Sequence, residues 1–369
     1  MQELKTEKLQ PIELPQLKEK PLVSILIANY NYEKYIGETL ESVLSQTYPN
    51  WEAIVCDDGS KDNSCEVIET YVKKDSRIKL IRQQNGGQAA ALAVAYQQSN
   101  GQIVCLLDSD DLWMPNKLQK VLDAFKSDLK CGFVIHNVIE INSQGELIKS
   151  TPMLNKLASG WRAPFALLNG GFAYNIPPSS ALCIRREVSD LFFHINEEFI
   201  GGGDTLICHL VPLVTVIVPV PEVLSKYRKH SASYTSFSTL TADGLKQHLN
   251  VLESVHQEQR QLLKKVYGAE VAEKLTGLEA SETYLNRRYL FTRLKGEPKL
   301  ERREAHRQLV AHPQFGKSIT ERWLQWGEYL PDALFVALID FIYGSSPLKR
   351  LVKLIFGRVI NSSKAKADW

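Results

Sequence analysis

Three carboxylates stand within four positions, Asp108, Asp110 and Asp111, and they follow directly on the apolar run 103–107. An apolar run ending in acidic groups is the pattern of a buried strand that delivers carboxylates to its carboxyl end, where α/β sheets bind ligands. Hard cations such as Mg²⁺ or Mn²⁺ favour oxygen ligands, often one or two carboxylates completed by substrate phosphates. An Asp-X-Asp in this position would hold a nucleotide diphosphate through its metal. The competing reading is a polar turn whose carboxylates cap a helix starting near Pro115, since Pro is favoured early in helices. These residues alone leave both open. A second acidic pair, Asp57-Asp58, runs into Gly59-Ser60, and three glycines at 201–203 precede Asp204. Glycines there permit a bend or a close approach of backbone to substrate.

The elements that must position these groups show as an alternation. Apolar strands at 22–28, 51–56 and 78–82 and one ending at Asp108 are separated by helical patterns at 33–46, 63–74 and 88–98. That order predicts an α/β fold with a mostly parallel sheet flanked by helices, and it puts both acidic clusters at strand carboxyl ends. Further strands are expected at 133–141, ahead of an N-S-Q-G turn, and at 180–184, with a helix after Asp204. Beyond about 238 the spacing of Leu245, Leu249, Leu252 and Val255 predicts a helical C-terminal extension. The expected organisation is an N-terminal arm over 1–20, an α/β domain over 21–238 and a helical region over 239–369. Pro11 and Pro15 make the arm either mobile or an extended strap.

Composition narrows the partners. Lys and Arg number 44 against 42 Asp and Glu, a net charge of +2, so the overall field makes no case for nucleic acid. Six scattered cysteines without a C-x-x-C pair predict a reducing, cytoplasmic setting with no disulfide framework. The mixed-charge N-terminus lacks the apolar core of a signal peptide. The apolar stretches 211–224 and 333–343 are broken by prolines or too short for a bilayer core of about 30 Å, so no transmembrane helix is expected. In 347–367 an apolar stripe (Leu348, Leu351, Val352, Ile355, Val359, Ile360) is set among six basic residues. Such a helix suits peripheral contact with an anionic membrane, each cation contributing about 1 kcal/mol, or docks on its own protein with solvated lysines.

Residues 21 to about 235 resemble the family 2 glycosyltransferases, whose nucleotide-binding α/β fold is of the GT-A type. The resemblance is carried by V-S-I-L-I-A-N-Y-N at 23–31, L-E-S-V-L-S-Q-T-Y at 40–48 and C-D-D-G-S-K-D-N-S at 56–64. It continues with N-G-G-Q at 85–88, D-S-D-D-L-W-M-P at 108–115, G-G-D at 202–204 and Y-R-K-H-S-A-S at 227–233. It implies an inverting, metal-assisted transfer of sugar from a nucleotide-sugar donor, first of all a UDP-sugar, to a glycan or lipid-linked glycan acceptor. By the same resemblance Ala28, Tyr30, Asp58, Gln88, Asp108 and Ser109 bind the nucleotide. Tyr30 would stack on uracil, and Asp58 would accept a hydrogen bond from its N3. Asp110 and His230 are implied as ligands to Mn²⁺ or Mg²⁺, Arg228 or Lys229 as added positive charge near the diphosphate or metal, and Asp204 as the general base. The chain departs from many relatives at Leu92-Ala93, where they carry Arg-Asn, and at Gly203, where an acidic residue often precedes the base. The second reading is a catalytically silent nucleotide-binding or interaction subunit that keeps the fold. A nucleotidyltransferase would need a glycine-rich, basic phosphate loop after the first strand, which 29–34 lacks.

Overall fold

The computed structural model describes residues 9–193, 203–230, 241–316 and 319–343. Eight strands, β1 (Val23–Asn29), β2 (Trp51–Asp57), β3 (Ile78–Arg82), β4 (Ile103–Leu106), β5 (Leu112–Trp113), β6 (Cys131–Ile141), β7 (Leu182–Arg185) and β8 (Val216–Arg228), form one sheet. Their order is β3-β2-β1-β4-β7-β6-β8-β5. β1 and β2 are Ile/Val-rich and almost wholly buried, as strands covered on both faces must be. α1 (Ile36–Leu44), α2 (Ser64–Lys74) and α3 (Gln88–Gln97) make the crossovers, and α4 (Lys117–Ser127) leads into β6. α1 shows the reason these segments fold as they do. Its buried residues, Ile36, Thr39, Leu40 and Val43, recur at helical spacing, and Ile36, Leu40 and Val43 share a core with Val23, Ile25 and Ile27 from one face of β1.

The parallel half of the sheet follows the sequence pattern closely; the other half does not. β7 runs antiparallel to both β4 and β6, and β5 antiparallel to β8, while β6 and β8 are parallel. β8 is the element the sequence hid, because Pro219 and Pro221 read as strand breakers. The ladder shifts register between His136–Val220 and Asn137–Val223, so Pro221 and Glu222 sit in a bulge where the missing Pro221 amide costs no ladder bond, while Pro219 stays in the ladder opposite Ile135.

Residues 9–20 are a strap. Leu9 is buried, Ile12 N donates to Val214 O (2.9 Å), and Arg185 Nη2 donates to Pro15 O (2.7 Å). The backbone of 20–24 is closed off by Gly101, whose amide donates to Ser24 Oγ (2.7 Å). A Cβ at Gly101 would stand 2.5 Å from Ser24 N and 2.8 Å from Leu22 O. Gly101→Ala is therefore predicted to destabilise by about 1–3 kcal/mol, read as a lower urea midpoint. An unchanged midpoint would show that the turn yields freely.

The described parts of Met1–Leu167, Phe172–His230 and Gln257–Lys274 make one compact unit, and those of Leu168–Gly171, Ser231–His256 and Leu275–Trp369 a second. Remaining helices are α5 (Ala163–Leu168), α6 (Arg186–Ser189), α7 (Gly203–Leu210), α8 (Ala242–Tyr267), α9 (Ala269–Ala272), α10 (Glu282–Lys295), α11 (Lys299–Ala311), α12 (Ile319–Leu324) and α13 (Asp332–Tyr343). The second unit is helical around Leu245, Leu285, Tyr289, Leu290, Leu309, Leu324, Phe335 and Ile339. Its α10 begins at Ser281, whose hydroxyl accepts from Tyr284 N, and stops at Gly296 in the left-handed region. The boundary expected near 238, positions 1–8, Gly201 and Gly202, 231–233 of the Y-R-K-H-S-A-S run and the basic segment 347–367 all lie outside the described residues. Among the described residues no helix is long and apolar enough to cross a membrane, and all six cysteines are free thiols.

Candidate active site

The sheet order reverses direction between β1 and β4, and ligands of open α/β sheets gather at such a point, outside the strand carboxyl ends. The D-S-D-D segment lies there. Ser109 is buried and its hydroxyl donates to Ala28 O at the end of β1 (2.7 Å). Thr39 from α1 donates to both Ser109 O and Asp111 O (2.9 Å each), which fixes the turn from below. Gln88 Nε2 reaches Asp108 Oδ1 (3.3 Å), Ser180 Oγ accepts from Asp108 N (3.0 Å), and the Ser179 hydroxyl donates to Asp108 Oδ2. Asp110 Oδ2 faces His230 Nε2 at 2.8 Å. The His230 ring lies against Tyr35 (4.9 Å between centroids) and edge-on to Tyr32 (5.8 Å).

Crowding of acids sets the electrostatics. Burial pushes Asp108 up to about 7, helped by the Asp110 and Asp204 charges and opposed by the Ser179 hydroxyl. Burial also raises Asp110, against the pull of His230 and Arg228, and it raises Asp111 well above the usual range together with Asp110 and Asp108. Tyr32 is raised by burial and by these same carboxylates, so its hydroxyl borders the cluster. Carboxyl groups this close resist simultaneous ionisation unless a cation joins them. Their oxygen-rich, anionic character fits a hard divalent ion. Among the described residues no group of three or more His, Cys, Asp or Glu is arranged to hold a metal alone.

Asp204 lies in the first turn of α7, where the helix end favours negative charge. Burial raises its carboxyl, offset in part by the amide and hydroxyl of Thr205. Its charge in turn raises Asp108, so the two share one neighbourhood.

Arg228 lies directly behind the acidic turn, and its positive charge acts on Asp110. Its guanidinium is fully buried and donates to Asp110 O (2.7 Å), Glu38 Oε2 (2.7 Å) and Ser143 O (3.3 Å), and its amide donates to Asp111 Oδ1 (2.8 Å). It clamps the acidic turn to α1 because β8 ends directly behind that turn. Lys229 is paired with Glu140. Trp113 is core, its Nε1 donating to Ser180 O (3.1 Å) beneath the buried ammonium of Lys117.

At the ends of β1 and β2 the roles divide. Asp57 holds the turn, accepting from Asn29 Nδ2 (2.7 Å) and Ser60 N (2.9 Å). Asp58 accepts from Gln83 Nε2 (2.7 Å) and from Gly86 N and Gly87 N (2.8 Å each), so it anchors the loop before α3. A carboxylate has about four acceptor positions, which leaves one for a ligand. Tyr30 stands 42% exposed beside Asn31, whose φ of 61° is stabilised by Ser60 Oγ and Lys61 N. Tyr32, Tyr35, Thr39, Ser179 and Ser180 escaped the sequence reading. Ser179 and Ser180 carry no local signal, whereas aromatic residues straight after an A-N-Y-N strand end could have flagged Tyr32 and Tyr35.

Residues 24–182 match the family described as Glycosyl transferase family 2. An uncharacterized glycosyltransferase of Nostoc sp. is 31% identical over 253 residues, covering 68% of this chain and 78% of that protein. The Escherichia coli UDP-Glc:alpha-D-GlcNAc-diphosphoundecaprenol beta-1,3-glucosyltransferase WfgD is 40% identical over 124 residues, 33% of this chain and 48% of that protein. Here the chain spans about half of the relative's length. The structure of Staphylococcus aureus TarS 1-349 in complex with UDP-GlcNAc superposes with a TM-score of 0.51 at 16% identity, covering 86% of this chain and 90% of that one. At that identity the likeness is one of fold.

Proposed function

The chain belongs to the family 2 glycosyltransferases, and on that footing we propose that it is an inverting enzyme transferring sugar from a UDP-sugar to a glycan or lipid-linked glycan. The observation that carries this reading is the single cluster at the end of β4. There Ser109 is tied to Ala28, Asp110 faces His230, and Asp204 is close enough to raise Asp108. Tyr30 offers an exposed ring for the base, and Asp58 keeps one acceptor position for its N3. Asp204 takes the proton of the acceptor hydroxyl as that oxygen attacks the anomeric carbon. The carbon–oxygen bond to the diphosphate breaks on the opposite face, and its electron pair leaves with the nucleotide. A Mn²⁺ or Mg²⁺ ion held by Asp110 and His230 with the donor phosphates would neutralise the charge of that leaving group. Thr39, Ser179 and Arg228 keep the acidic turn rigid, so little reorganisation is needed when donor binds.

WfgD is named for a lipid-diphosphate-linked acceptor, which supports an acceptor of that class, met in the cytoplasm at the inner membrane face through 347–367. The donor is tested by thermal unfolding with UDP-, GDP-, dTDP- and CDP-sugars, each with Mn²⁺, Mg²⁺ or EDTA. A ligand at a hundredfold excess over its dissociation constant stabilises by about 2.7 kcal/mol. The expected result is a shift with UDP-sugars that EDTA removes. A shift confined to another nucleotide replaces the donor, and no shift with any of them replaces the enzyme with a silent interaction subunit.

A further inference from the structure

Trp323, Trp326, Tyr329, Leu334 and Val336 are 46–79% exposed and fall in one short stretch of the second unit. Single exposed apolar residues need no explanation, whereas a run of them marks an interaction surface. α13 shows how the run arises. Phe335 and Ile339 turn into the core with Tyr289, Leu290 and Leu324, while Ala333, Leu334, Val336 and Ala337 are exposed; the exposed carboxylate in the first turn, Asp332, is paired with Arg293 and Arg302. Four exposed apolar positions within one helix make a face built to be covered.

Two features say what covers it. The exposed aromatics are Trp and Tyr, with Trp326 and Tyr329 rings 6.2 Å apart. Their apolar bodies and polar tips suit the lipid–water boundary. The sequence that follows, 344–369, carries six cations against one carboxylate, which complements anionic headgroups. We infer that the face formed by Trp323, Trp326, Tyr329 and the outer side of α13 lies in the surface of an anionic bilayer, at headgroup depth, without spanning it. The inference deepens the proposed function by naming where a lipid-linked acceptor is met, and it rests on that reading for the acceptor alone. Vesicle binding is measured without turnover, so failure of one is separable from failure of the other.

The test is co-sedimentation of the full chain with phosphatidylcholine vesicles, with and without phosphatidylglycerol, alongside Trp quenching by brominated lipid. Two variants are compared, Trp323→Ser/Trp326→Ser/Tyr329→Ser and Leu334→Ser/Val336→Ser, both altering exposed side chains only. The expected result is binding that needs phosphatidylglycerol, quenched Trp emission, and about a tenfold loss of binding in each variant at unchanged melting temperature. Unchanged binding in both variants overturns the inference and leaves the basic segment as the contact. Absence of vesicle binding, with self-association in sedimentation velocity that the same variants abolish, also overturns it and assigns the face to a second copy.

Discussion

Asp204→Asn is expected to lower sugar transfer by about 10²–10⁴-fold while leaving donor binding unchanged. The substitution keeps shape and the contact with Thr205 and removes only proton affinity, so a base is lost without a fold being disturbed. Because Asp204 is not among the groups proposed to hold the nucleotide, calorimetric titration with the UDP-sugar should give wild-type affinity. The wild-type pH profile supplies a second readout. The base works only as a carboxylate, and burial raises its pKa above the ordinary 3.8. Activity is therefore full above the raised value and lost as pH falls through it, which puts the acid limb of kcat/KM, the quantity that reports the free enzyme, above the ordinary 3.8. Wild-type turnover in Asp204→Asn would place the base elsewhere and undo the assignment.

Arg228→Met is expected to cost about 3–5 kcal/mol of stability, because removing one member of a buried charge network strands the others. Arg228 is buried, as are Asp110 and Asp111, and the guanidinium lowers the Asp110 carboxyl that burial raises. Methionine fills much of the volume and supplies none of the donors now serving Asp110 O and Ser143 O. The ion pair to Glu38 contributes little to the expected loss, since that carboxylate is 58% exposed and water replaces its partner. Glu38→Gln is accordingly expected to shift stability by no more than about 1 kcal/mol. Chemical denaturation of the two variants side by side decides the matter. Equal midpoints would mean that Arg228 acts only through its surface pair and that the acidic turn does not depend on it.

The fold was legible to different depths in its two halves. Over 21–108 each strand and helix announces itself through periodicity and through turn residues such as Gly59 and Gly87, both at positive φ. From 131 onward the sheet takes β7 antiparallel and then β8 with two prolines, and no local pattern separates such a bulged strand from a loop. The arm could be read as mobile or as a strap, and the choice turned on carbonyls whose donors lie far along the chain, such as Arg185. For a related reason the sequence shows Arg228 only as a cation, whereas the fold buries it and ties it to Asp110 O and Glu38.

By itself the sequence determined which groups stand at the ends of β1, β2 and β4, because side-chain alternation and strand termination are set within about ten residues. Only the tertiary structure decided what those groups touch. Ser179 meets Asp108 across 71 positions, His230 meets Asp110 across 120, and Arg228 meets Glu38 across 190. Such contacts exist because β7 and β8 enter the sheet out of sequence order, and that order is settled by packing the whole core at once, not by any segment read alone.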